Sequence, residues 1–185
     1  MASGFVDRLK GKSLTTASSL TQFGSGGALF KGGGNIYVNS PAGGLGNPSN
    51  TSTNVLDSYT LAGNSLSANG YMLTLQAFGL LAANTHVKTV AMNFGSESAT
   101  FSNSTSLTGG TPWMLSMQVF KTGSNTQFVT TQAIQGTTHD GIVSQTDAAA
   151  EADTAGIVIN VTGQTATAGA NDILLYGWYI EEFNY

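Results

Sequence analysis

The residues that could do chemistry in this chain are few and badly spaced for it. The two histidines, His86 and His139, have no second histidine at ligand spacing. His139-Asp140, with Asp147, Glu151 and Asp153 downstream, could gather a cation in a loop, but the segment has neither the glycine nor the regular oxygen ladder of an EF-hand. A solvated acidic loop fits it better. Glu181 and Glu182 are adjacent on an expected strand, so their side chains point to opposite faces and cannot flank one glycosidic bond. Gly11-Lys12-Ser13 lacks the earlier glycine of a phosphate loop, since Val6 stands there, and no strand precedes it. Gly24, Gly26 and Gly27 lack the third glycine of a dinucleotide fingerprint, the position being Leu29. Gly24-Ser25-Gly26 is no nucleophile elbow. No catalytic, cofactor-binding or metal-ligating residue is expected, and the chain reads as non-enzymatic.

What the chain has instead is strand pattern. In Val55–Phe94, Tyr71, Leu73, Leu75 and Ala77 fall on one face, and Met72, Thr74 and Gln76 on the other. Val90, Met92 and Phe94 alternate with Thr89, Ala91 and Asn93. A period of two marks a half-buried strand. Asn69-Gly70 supplies the positive φ of a tight turn, and Ala82–Thr85 makes the next. This stretch is expected as three antiparallel strands, near 55–61, 71–81 and 86–94. Further strands are expected near 99–102, 113–122, 127–135, 141–144, 156–162 and 173–183. Thr146–Asp153, TDAAAEAD, is the one candidate helix, of one or two turns. The fold class is all-β, a jelly-roll-like antiparallel sandwich over residues 53–185.

Composition agrees. Only 9% of the 185 residues are charged, against a typical quarter, and Thr, Ser, Asn, Gln and Gly supply the polarity. Such a surface suits neutral contacts with protein or glycan, and a β-rich composition alone would also produce it. There is no cysteine, hence no disulfide framework. No segment reads as a signal peptide or membrane span, so synthesis in a cytoplasm and a soluble product are expected. The aromatics Trp113, Trp178, Tyr59, Tyr71, Tyr176, Tyr179 and Tyr185 could stack on sugars or pack in the core.

Residues 1–52 are Gly- and Ser-rich, basic and spotted with apolar anchors. Arg8, Lys10, Lys12 and Lys31 stand against Asp7, whereas the rest of the chain sets Lys88 and Lys121 against nine acids. An extended arm, with a short strand at 35–39, is expected to make few contacts with its own sandwich and to dock on other chains through Phe5, Arg8, Leu9, Lys10, Lys12, Phe23, Phe30 and Lys31. Folding back on the acidic body is the alternative. In the last strand, Ile173, Leu175, Gly177 and Tyr179 are expected on one face and Leu174, Tyr176, Trp178 and Ile180 on the other. Two apolar faces need two covers. The second is either the arm, another subunit or a set of loops. An acidic body argues against nucleic acid.

The stretch from Leu61–Ser67 through Asn69-Gly70, Ala77-Phe78-Gly79, Ala83-Asn84-Thr85, Lys88-Thr89-Val90 and Asn93-Phe94-Gly95 resembles small structural proteins of tailed bacteriophages. The resemblance implies a jelly-roll virion protein, in the first place a capsid decoration (cement) protein docking on the particle through its N-terminal arm; the alternative is a tail or head-fibre component recognising host-surface glycan. It also implies other virion proteins as partners and a homo-oligomer, a trimer first. A virion location follows, without cofactor or membrane.

Overall fold

The structure is a computed structural model that describes residues 31–66, 69–103, 110–136 and 138–184. Its strands are β1 (Lys31–Asn39), β2 (Leu45–Gly46), β3 (Asn54–Leu61), β4 (Met72–Leu81), β5 (Lys88–Phe94), β6 (Glu97–Asn103), β7 (Thr111–Gly123), β8 (Thr126–Gln135), β9 (Thr138–Ala149), β10 (Ile157–Thr165) and β11 (Ile173–Asn184). Every pairing is antiparallel. Among the described residues one sheet runs β1-β11-β4-β7-β8-β9, with β2 also on β11, and the other runs β3-β10-β5-β6. This is the expected all-β, jelly-roll-like antiparallel sandwich. No helix among the described residues is long and apolar enough to cross a membrane.

The core lies between the sheets and follows the period-two reading. Leu73, Leu75, Ala77 and Leu81 of β4 are buried, as are Val90, Met92 and Phe94 of β5 and Leu115, Met117 and Val119 of β7. Each Leu- or Phe-sized side chain buried this way stabilises by roughly 1.5–3 kcal/mol before ordering entropy is subtracted.

The structure changes four readings. First, the three strands of Val55–Phe94 are not paired with one another. β3 and β5 both flank β10, whereas β4 lies between β11 and β7. The turns between them therefore cross from sheet to sheet. Gly70 does take positive φ, 90°, and its N–H donates to the Lys121 carbonyl, closing the loop on β7.

Second, the segment expected as helix at 146–153 continues β9 to Ala149, with Thr146 opposite Val129 and Ala149 opposite Gln127. A two-turn helix is marginal by itself. The open edge of β8 offers backbone partners along the whole segment.

Third, β11 carries a bulge. Leu175 pairs with Gly79 and Gly177 with Phe78, so Tyr176 is an extra residue. The bulge reverses the alternation. Ile173 and Leu175 before it and Trp178 and Ile180 after it all face the core. Leu174 is half-buried and Tyr176 37% exposed. The expected set Leu174, Tyr176, Trp178 and Ile180 is thus split between the two faces, and the apolar excess that asked for a second cover largely disappears.

Fourth, the chain from Lys31 onward is part of the sandwich. β1 pairs with β11 from Lys31↔Asn184 to Asn39↔Trp178. Asn47, 1% exposed, accepts from the Ile173 N–H through Oδ1 at 2.8 Å and donates from Nδ2 to Gly169 O at 2.8 Å. Few contacts with the sandwich were expected for residues 31–50, and the pairing overturns that. Of the docking candidates, Lys31 opens β1, while Phe5, Arg8, Leu9, Lys10, Lys12, Phe23 and Phe30 lie outside the described residues.

Candidate functional site

The outer face of the larger sheet is built from side chains the core does not use. Paired residues share a face, so the register arranges them in rows across the strands. Phe183, Met72, Phe120 and Phe128 form an apolar row, with the Phe120 and Phe128 rings 6.2 Å apart. Next come Glu181, Thr74, Gln118 and Thr130. The third row is Val38, Tyr179, Gln76, Ser116 and Gln132. The fourth is Phe78, Met114 and Ile134, with the bulged Tyr176 beside it. Two polar rows therefore lie between apolar ones, and Glu181 is the one charged residue in these four rows.

The third row is held in place. Tyr179 OH donates to Gln76 Oε1 at 2.7 Å, and Gln76 Nε2 reaches Met114 Sδ at 3.0 Å. Burial, with Glu181 adding to it, pushes the Tyr179 phenol up, so it stays a donor. A cleft of about 320 Å³ opens over this part of the sheet, lined by Ser116, Gln118, Thr130, Thr131 and Gln132. Phe78, 41% exposed, and Tyr176 stand on the neighbouring row. Amides, hydroxyls and ring faces without net charge can hydrogen-bond and stack on a neutral polar ligand.

The acids serve the fold. Glu151 Oε1 accepts from Ser96 N and Oγ, each at 2.6 Å. Asp153 pairs with buried Lys121 and accepts from Asn125 N at 2.8 Å. The side chains of His139, Asp140 and Asp147, in β9, lie outside the described ones. Among the described residues no three His, Asp or Glu gather as metal ligands.

Asp57 joins three strands. Its Oδ2 accepts from Tyr37 OH at 2.9 Å, Asn39 Nδ2 at 2.6 Å and Trp178 Nε1 at 2.7 Å, and its Oδ1 from Ser58 N at 2.8 Å. Burial alone would raise this carboxyl, but the hydrogen bonds outweigh it and hold it below the usual carboxylate range. The unfolded chain therefore takes up this proton first. The stabilisation is complete above about pH 4 and is lost as pH falls through the folded value. Urea midpoints of the native chain and Asp57→Asn should converge on acidification from about pH 6 to pH 3. A constant gap would show that ionisation of Asp57 does not stabilise the fold.

Of the aromatics singled out in the sequence, Trp113 and Trp178 are core residues, and Tyr59 and Tyr71 pack half-buried against it. Tyr176 and Tyr179 lie on the outer face, and Tyr185 is outside the described residues. Phe78, Phe120, Phe128, Ser116 and Gln132 were not singled out. Their signal was present in the outward positions of the alternation that found the core.

No family model and no curated protein matches the chain. Among solved structures, the CBM2 module of Lactobacillus casei BL23 phage J-1 evolved Dit is similar at 12% identity over 69% of each chain, with a TM-score of 0.36, a likeness too loose to bear on function.

Proposed function

We propose that this chain is a non-enzymatic structural component of a bacteriophage virion, a tail or head-fibre part that holds a neutral glycan of the host surface on the outer face of its larger sheet. The observation that carries the reading is the row from Val38 to Gln132, flanked by Phe78, Met114 and Tyr176. Crossing five strands, it is about 19 Å long, a length suited to an extended oligosaccharide. The virion part of the reading is supported by the resemblance noted in Leu61–Gly95 and by the low charge of the chain.

The full chain should bind host cell-wall polysaccharide, and Tyr176→Ala combined with Gln132→Ala should weaken that binding at least about tenfold, the equivalent of about 1.4 kcal/mol. High salt should leave it unchanged, because no charge pair forms. Equal binding by native and variant chains, or release by salt, would overturn the glycan reading.

A second reading, capsid decoration through the N-terminal arm, is supported by the basic balance of residues 1–50 against the acidic remainder. Self-association as a trimer belongs to the same reading, although the bulge in β11 removes its strongest motive.

A further inference from the structure

One end of the sandwich is closed by four polar side chains that neither the core nor the outer face requires. Lys88, the first residue of β5, points inward and is 0% exposed. Its Nζ donates to Asn84 Oδ1 at 2.5 Å and to His86 O at 3.0 Å. Asn84 Nδ2 donates to Asp172 Oδ1 at 2.6 Å. Asp172, 4% exposed, holds His86 Nδ1 on its other oxygen at 2.5 Å. The His86 backbone N–H also points at Asn84 Oδ1, at 3.1 Å. A Cβ on Gly169 would lie 2.3 Å from Asp172 Oδ2 and 2.9 Å from His86 Nδ1, so the loop before β11 packs directly against the cluster.

We propose that Lys88 and Asn84 become joined by an intramolecular amide bond, formed without a partner once the chain has folded. Each group the reaction needs is in place. The nucleophile is the Lys88 amine, which burial pushes down towards its neutral form, with Asp172 pulling the other way. The electrophile is Asn84 Cγ, whose oxygen already receives the His86 N–H; that donor can carry the negative charge of the tetrahedral intermediate. The proton carrier is Asp172, which touches the leaving nitrogen and is backed by the His86 imidazole.

In the reaction the Lys88 Nζ–Asn84 Cγ bond forms and the Cγ–Nδ2 bond breaks. One amine proton passes through Asp172 to Nδ2, which departs as ammonia, and Asp172 is regenerated. No oxidant or second substrate enters. Amines and amides do not condense at an appreciable rate in water, but fixed contact in a desolvated site supplies a large effective concentration. The product exchanges a desolvated ammonium for a neutral amide, which favours completion.

The test is the intact mass of the purified full-length chain. A mass lower than the sequence mass by one ammonia is expected, with trypsin failing to cut after Lys88. Lys88→Met and Asn84→Ala should each restore the full sequence mass of the variant. A native chain at full sequence mass overturns the proposal, whatever the variants do. So does an ammonia loss that persists in Lys88→Met, because it would mark a succinimide at Asn84 instead.

Discussion

Trp178→Ala is expected to cost about 3–5 kcal/mol of folding stability, the range for removing a buried large aromatic. Trp178 is 1% exposed, sits just past the bulge of β11 and meets the Tyr37 ring at a centroid distance of 4.8 Å. Tyr37 in turn contacts Tyr59 at 4.9 Å, so the indole is one end of a wedge of three rings, with Tyr37 in the middle, that joins β1, β3 and β11. Alanine would leave a cavity there and also withdraw the Nε1 donor from Asp57. Trp178→Phe separates the two effects. It keeps much of the ring volume and loses the donor, at a cost of about 1–3 kcal/mol. Urea denaturation at neutral pH measures both. A loss under about 1 kcal/mol for the alanine variant would mean that this wedge does not hold the sheets together.

Gly79→Ala should be nearly as damaging, at about 3 kcal/mol, the upper end for forcing atoms into a packed core. An added Cβ would fall 1.8 Å from the Leu174 carbonyl oxygen and 2.6 Å from Trp113 Cζ2. The carbonyl belongs to the backbone beside the bulge and cannot rotate aside. Gly163→Ala is the control, since its nearest neighbour is the Ile173 Cδ1 methyl at 3.2 Å, which can shift by a few tenths of an ångström. Hydrogen exchange should show the β11 amides opposite β4 losing protection in Gly79→Ala and retaining it in Gly163→Ala. Because Tyr176 rides on the same bulge, the glycan binding proposed for the outer-face row should weaken in the first variant as well. Unchanged protection of β11 would show that the two strands can part at Gly79 without cost.

The core was legible because alternation is a local signal. In β4 and β5 each inward residue is two positions from the next, and no tertiary fact is needed to see it. β11 misled because a single extra residue inverts the alternation. Gly177 was the local mark of it, since a Cβ there would meet the Phe78 ring at 2.8 Å, but a strand glycine has several meanings until its partner is known. TDAAAEAD misled for the opposite reason: its helix propensity is real but too short to compete with the β8 edge. Which strands pair was hidden altogether. Lys88, His86 and Asn84 are sequence neighbours, whereas Asp172 arrives only because β11 and the loop before it return to that end of the sandwich. The outer-face rows are of the same kind, since Tyr179, Gln76, Ser116 and Gln132 come from four strands.

The pairing of β1 with β11 also decides how the molecule bears force. Lys31 lies opposite Asn184, so the two ends of the described chain leave the sheet side by side. Tension drawn between them would load the β1–β11 ladder one hydrogen bond at a time, as in the opening of a zipper, which resists weakly. The opening would run from Lys31 towards Asn39 and reach the Asp57 carboxylate at Tyr37. There the tear meets the hydrogen bonds that Tyr37 and Asn39 of β1 donate to one Asp57 oxygen in the opposite sheet, an oxygen that Trp178 of β11 holds in place. Asp57 thus acts as a rip-stop: a pull on the N-terminal segment frees the first rungs of the ladder easily and then has to break two hydrogen bonds to a carboxylate before β1 comes away.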